Sequence, residues 1–349
     1  MATGIVYHPD YLKHDPGEGH PESPQRLEAI YKFLEEKDLL KHFTIIEPNL
    51  ALLEAVEAVH TSEYRKMVEK VSQGYASLPD PETVISPDTY RVALLAAGGV
   101  LRAIDEVISG EVDNAFCLVR PPGHHALPGR AMGFCVFNNV AIGACYLREK
   151  YQLQRILIVD WDAHHGNGTQ QIFYDDPGVL HFSIHQSDLF PEGSGWITEI
   201  GEGKGEGFNV NVPVPRGTGD SGYYYAFNQL LKPLAHQFHP EFILVSAGFD
   251  AYFRDPLSDL QVTSKGFRMM AELVKEMAEN YAGGRVVAVL EGGYSIPDLP
   301  FLVATVLGVF AGLDLDLQPP EEQVRDVLLP VTRQRIDAAI KVQKNYWKL

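Results

Sequence analysis

The stretch Val159–Gln170, VDWDAHHGNGTQ, places Asp160, Asp162, His164 and His165 within six residues, at the end of the apolar run RILIV. Charged groups beside a core cost free energy unless something compensates them. In extended chain, residues i and i+2 point to the same side, so Asp162 and His164 can share a partner. Carboxylate oxygen and imidazole nitrogen are ordinary Zn²⁺ ligands. Asp250, in SAGFD after another apolar run, is placed to be a third. Three protein ligands leave one position for water, which is the catalytic pattern. Asp160 can then stand behind them and orient a histidine. Taken alone, the DxDxH spacing fits a hydrogen-bonded network at a strand end equally well.

Two further clusters carry chemistry of a complementary kind. RPPGHHA (120–126) places adjacent His124 and His125 on a turn set by two prolines and a glycine. Such a pair can supply a general base and a second acid or electrostatic partner. On their own, adjacent loop histidines are more often solvent-facing. EGGYS (291–295) places Tyr294 after two glycines, which permit close backbone approach to a ligand. A phenol there can donate to a developing oxyanion, although a lone Tyr after glycines is ordinarily packing.

The elements that must position these groups follow one pattern. A short apolar run leads into a polar cluster, and a helical segment follows. The runs are 115–119, 155–159, 179–184, 242–246 and 285–290. Continuous apolar runs of this length suit strands buried on both faces, hence a mainly parallel sheet between two helical layers. The fold class is therefore α/β, a three-layer αβα single domain. In such sheets ligands bind outside the carboxyl ends of the strands, so the polar clusters converge on one edge. SPQRLEAIYKFLEE offers Ser23 as a helix cap with Pro24 at the first helical position, and Leu27, Ile30, Tyr31 and Leu34 on one face. Ser86 and Pro87 repeat that opening before a long apolar helix, and RQRIDAAIKVQKNYWKL reads as an amphipathic helix docked on the body. Segment 193–222 is rich in Gly and Pro and reads as loop around a strand, FNVNV. Its glycines do not link a strand to a helix, so they are structural turns and not a phosphate loop.

The composition narrows the function class. The 349 residues are 45% hydrophobic and 21% charged, values suited to a globular chain with a large core. A formal net charge of −17, with no basic stripe, argues against nucleic acid and favours cationic ligands. No apolar run approaches the roughly 20 residues that span a bilayer, and no secretory signal opens the chain. The three cysteines, Cys117, Cys135 and Cys145, form no CxxC pair and read as buried thiols in a reducing, cytoplasmic setting.

Together, RPPGHHA, GFCVFNN, VDWDAHHGNGTQ, GFNVNVP, SAGFDAYFRDPL and VLEGGYS resemble the histone deacetylase superfamily, zinc-dependent amidohydrolases of the arginase/deacetylase fold, in its class II and bacterial branch. The motif core runs from about residue 5 to 310, within one catalytic domain over 1–349 whose helical tail covers about 320–349. The resemblance implies roles. Asp162, His164 and Asp250 are the implied zinc ligands, with Fe²⁺ as the alternative metal. His124 pairs with Asp160. His125 is the implied base and acid, with Asn167 as its partner where the class I branch has Asp. A neutral partner leaves His125 the lower pKa. Tyr294 is the implied oxyanion donor. Gly133, Phe134, Phe190 and Leu257 match the wall and gate of a narrow substrate tunnel. Asp160, Asp162, His164, Ser183 and Ile184 match the ligands of a structural K⁺.

The resemblance also implies the substrate: an acylated lysine peptide or a small acylated amine. Polyamine-specific relatives carry an acidic gate, and the apolar Leu257 at that position argues against strict polyamine specificity. Asp80 or Glu82 is placed either to anchor a substrate backbone or to stand as a solvated loop carboxylate. Two other readings are weaker. A two-manganese ureohydrolase needs extra carboxylates where His165 and Asn167 stand, and a catalytically silent acyl-ligand binder would have lost a ligand, a histidine or Tyr294. Nothing in the sequence fixes an oligomeric state.

Overall fold

The computed structural model describes residues 2–349 except 75–77, 79, 316, 321–323 and 325. Its centre is one sheet of eight strands: β1 (Thr3–Val6), β2 (Phe43–Ile46), β3 (Asn114–Cys117), β4 (Ile156–Asp160), β5 (Val179–Gln186), β6 (Asn209–Val214), β7 (Phe242–Ala247) and β8 (Val286–Leu290). Their order is β2-β1-β3-β8-β7-β4-β5-β6, and every pairing is parallel. All residues of β3 to β8 are buried, which is why their sequences read as unbroken apolar runs.

The helices are α1 (Gln25–Glu36), α2 (Leu53–Glu57), α3 (Ser62–Ser72), α4 (Thr89–Ser109), α5 (Asn139–Tyr151), α6 (Asn167–Ile172), α7 (Asp220–Ala226), α8 (Lys232–Phe238), α9 (Ser264–Tyr281), α10 (Leu299–Ala311) and α11 (Pro330–Gln343). They pack as two groups, α4 with α3 and α5 on one side and α1, α10 and α9 on the other. The single-domain αβα expectation holds, and the sheet is wholly parallel. Among the described residues no helix is long and apolar enough to cross a membrane.

Both expected serine caps are corrected. α1 begins at Gln25 with Pro24 at the cap position, and Ser23 contributes only its carbonyl, accepting from Arg26 N at 3.1 Å. α4 begins at Thr89 behind Asp88, and Ser86 N donates to Thr89 Oγ1 at 2.8 Å. In each case the proline heads a tight turn that precedes the first full helical turn. The apolar face of α1 is as expected: Leu27, Ile30 and Leu34 are fully buried, and the half-buried Tyr31 stacks on Tyr7 with ring centroids 4.0 Å apart. The tail helix docks on edge strand β6, where Gln343 Nε2 donates to Asn209 O at 3.2 Å. It stops at Gln343, and beyond it Trp347 Nε1 donates to Gly207 O at 2.8 Å. Cys117 and Cys135 are buried, Cys145 is only partly so, and all three are free.

Candidate active site

The strand ends deliver the polar clusters to one edge. Asp160 closes β4, Asp250 follows β7, the His124–His125 turn follows β3 and Tyr294 follows β8. These four strands are contiguous in the order β3-β8-β7-β4.

Asp162 and His164 do not sit in extended chain. The strand ends at Asp160 and the chain bends. Asp162 N donates to Asp160 Oδ1 at 3.1 Å, and His164 N donates to Asp162 Oδ1 at 2.9 Å. Carboxylates capping successive backbone N–H groups curl the segment, and that curl brings the side chains together. Across the site, Ala163 N donates to Asp250 Oδ1 at 2.7 Å and Gly292 N to Asp162 Oδ2 at 2.8 Å. Backbone N–H groups thus hold both oxygens of Asp162 and one of Asp250. His164 Nδ1 lies 2.8 Å from Asp250 Oδ2 and 3.1 Å from Asp162 Oδ1. The ligand atoms of the three residues all lie within 4.8 Å of one another, and all three residues are buried. A Cβ at Gly248 or Gly292 would collide with these carboxylates. Although burial alone lowers an imidazole's pKa, the two carboxylates hold that of His164 up at about 10. Two buried acids demand a positive charge here, and the oxygen–nitrogen–oxygen donor set fits Zn²⁺.

The two histidines of the turn are held differently. His124 Nδ1 lies 3.0 Å from Asp160 Oδ2. Burial works against its charge, but Asp160 and Asp162 raise its pKa well above the ordinary value. His125 Nδ1 lies 2.7 Å from Asn167 Oδ1. A carbonyl oxygen only accepts, so Nδ1 carries the proton and Nε2 is left as the acceptor. Burial, then the neighbouring imidazoles, pushes His125 well below its ordinary value. Asn167 opens α6, and its Nδ2 is 3.5 Å from Met132 Sδ.

A cavity of about 250 Å³ opens over this cluster. Glu82, His125, Gly133, Phe134, His164, Leu189, Phe190, Leu257 and Tyr294 line it. The Phe190 ring stands edge-on to His125 with centroids 5.1 Å apart, and the Phe134 ring edge-on to Tyr294 at 6.0 Å. Gly133 has φ +54°, and a Cβ there would stand 2.5 Å from His125 Cδ2 and 2.7 Å from Phe190 Cε1. Burial raises the Tyr294 phenol well above its usual value, so it remains a donor. A larger cavity of about 320 Å³ lies past Leu189, around His165, His185 and Trp196, and none of Asp162, His164 and Asp250 lines it.

Asp80 is neither of the alternatives read from sequence. It is buried, and its Oδ2 accepts from Thr83 Oγ1 at 2.5 Å, while Thr83 Oγ1 accepts from Phe134 N at 3.1 Å. It braces the cavity wall. Glu82 reaches the cavity and is exposed. Ser183 pairs with Asp160 across the β4–β5 register, and Ile184 follows it, so the five residues matched to a cation site are neighbours. His165 bonds to Ser194 and Gln170 and brings no carboxylate. The sequence reading missed three residues that hold the site. Glu291 Oε2 accepts from Gly123 N and His124 N at 2.7 and 3.2 Å, Asp255 ties two loops, and Arg26 Nε donates to Gly293 O at 2.7 Å. All three act on backbone, which residue spacing does not reveal.

The family model of the histone deacetylase domain matches residues 20–310. The chain belongs to the histone deacetylase family. It is 43% identical to a probable deacetylase of Archaeoglobus fulgidus over all of this chain and 99% of that one. It is 37% identical to the histone deacetylase-like amidohydrolase of Pseudomonas aeruginosa, covering 91% of this chain and 86% of that one. Polyamine deacetylase HDAC10 of Mus musculus is 40% identical over 94% of this chain but only 52% of its own length. The crystal structure of the HDA15 HD domain superposes with a TM-score of 0.90, at 34% identity, over 99% of this chain and 95% of that one. Deacetylase-family hydrolysis with a metal cofactor, acting on an acylated amine, is the activity these relatives support for the histone deacetylase-family chain.

Proposed function

We propose that this protein removes acetyl or other acyl groups from acyl-lysine side chains in a Zn²⁺-dependent hydrolysis. One observation carries the reading. Three convergent ligand atoms lie beneath a cavity walled by Phe134 and Phe190, with a neutral His125 and a protonated Tyr294 beside them.

Asp162, His164 and Asp250 would hold Zn²⁺, which when bound would supply Lewis acidity to the amide carbonyl and to water. The side chains do the rest. His125 keeps its Nδ1 proton on Asn167, so Nε2 takes a proton from the attacking water and later passes it to the leaving amine. His124, charged against Asp160, stabilises the negative charge that develops nearby. Tyr294 Oη donates to the oxyanion. Phe134 and Phe190 shield the methylene stem of the lysine from water. Fe²⁺ suits the same donors. A K⁺ held by Asp160, Asp162, His164, Ser183 and Ile184 would offset the charge of buried Asp160.

Leu257 favours lysine over polyamine substrates, since it offers no anion to a secondary ammonium. The test compares kcat/KM on an acetyl-lysine peptide with that on acetylated spermidine. The peptide is expected to win, and Leu257→Glu is expected to narrow the gap. Preference for the polyamine by the wild type would make this a polyamine deacetylase instead.

A further inference from the structure

We propose that Asp255 is a positioning residue that fixes the oxyanion donor Tyr294 and the gate residue Leu257 as one unit. Its carboxylate joins the loops that follow β7 and β8. Oδ2 accepts from Tyr294 N at 2.6 Å and from Ser295 N at 3.2 Å. Oδ1 accepts from Leu257 N at 3.0 Å. Both residues line the cavity, one as the proton donor and one as the rim.

The carboxylate is itself rigid. It is 6% exposed, and Asp255 N donates to Tyr252 O at 2.8 Å. Burial, then the neighbouring Asp250, raises its pKa to about 7, against three backbone N–H donors that favour the charged form and offset the cost only in part. The other face of the Tyr294 loop is clamped independently. Arg26 Nε donates to Gly293 O at 2.7 Å and Nη2 to Glu291 O at 2.5 Å. Between these clamps stands Gly293 at φ +119°, a conformation that other residues rarely adopt. A loop built around such a residue needs tethers on both sides to hold one side chain to within a fraction of an ångström. Arg26 supplies the carbonyl-side tether, and Asp255 the N–H side. Asp255 does not line the cavity, so it acts through Tyr294 and Leu257.

The structure also provides a control. Asp298 joins the same two loops farther out, accepting from Arg254 Nη1 at 3.0 Å and Ser295 Oγ at 2.7 Å, without touching Tyr294 N or Leu257 N. The experiment uses the Zn²⁺-loaded full chain and the variants Asp255→Asn, Asp298→Asn, Tyr294→Phe and Asp255→Asn with Tyr294→Phe. An asparagine keeps one acceptor and turns an NH₂ toward one set of N–H groups, so at least one tether is lost. Asp255→Asn is expected to lower kcat about tenfold or more, and the double variant to be no slower than Tyr294→Phe alone. Asp298→Asn is expected to lower the melting temperature and leave kcat within about twofold of wild type. Amide hydrogen exchange is expected to rise over 257–258 and 292–296 in Asp255→Asn and not in Asp298→Asn.

Wild-type kcat with unchanged exchange in Asp255→Asn would overturn the proposal. So would losses that multiply in the double variant, or an equal kcat loss in Asp298→Asn. The kinetic arm rests on the acyl-lysine hydrolase reading above, and the exchange arm does not. A wild-type protein inert on every acylated amine would sink that reading, while exchange alone would still decide the role of Asp255.

Discussion

At the scale of single residues, the base is set by a choice of partner. Asn167 gives His125 a carbonyl oxygen 2.7 Å from Nδ1, which fixes the tautomer without adding charge. Burial, then the positive charge gathered beside it, holds the imidazole well below 6.5. The base is therefore neutral at pH 7, and the acid limb of kcat/KM is expected below pH 6.5. Asn167→Asp places an anion on Nδ1 and favours the charged imidazole. The acid limb is then expected to move to higher pH, read from kcat/KM profiles of the two proteins. An unmoved limb would mean that another group titrates. The two histidines were legible as candidates because their motif follows an apolar run, whereas the pairing of His125 with Asn167 came only from the family resemblance. Asp255, Glu291 and Arg26 were not legible, because they hold backbone atoms of distant loops. Asp80 was misread because its partner Thr83 is an unremarkable residue in sequence.

At the scale of elements, the site depends on how loops are anchored beneath it. His60, just before α3, joins the histidine turn to α5. Its Nδ1–H donates to Leu127 O at 2.9 Å, and its Nε2 accepts from Asn138 N at 2.9 Å. Asn138 in turn caps α5 by accepting from Ala141 N at 3.0 Å. Only neutral His60 can make both bonds, and burial pushes its pKa from 6.5 to about 4. The folded value is depressed, so this contribution is complete above pH 6.5 and is lost as pH falls through 4. The loss amounts to roughly 3 kcal/mol. Urea unfolding of wild type and His60→Gln is expected to show a stability difference that shrinks by about that amount between pH 7 and pH 4. A difference independent of pH would contradict it. Element type was legible where burial on both faces left long apolar runs, as in β4, β5, β7 and β8. The four-residue strands β1 and β2, TGIV and FTII, were missed because so short a run carries no period. The turn at Asp162–His164 was misread as extended because side-chain caps, not strand alternation, set its geometry.

At the scale of the whole molecule, the parallel sheet is what gathers the site. Every strand ends on the same edge, so five loops from across the chain meet there although Gly123 and Tyr294 are far apart in sequence. The convergence leaves buried acids from the loops after β4 and β7 facing one imidazole, an arrangement that calls for a cation. The whole account turns on that cation. Hydrolysis of an acetyl-lysine peptide should therefore be followed before chelation, after removal of all metal, and after Zn²⁺ is returned. Turnover that falls to background without metal and recovers with one Zn²⁺ per chain is the predicted result. Turnover that survives complete metal removal, or is absent with Zn²⁺ bound, would contradict the account.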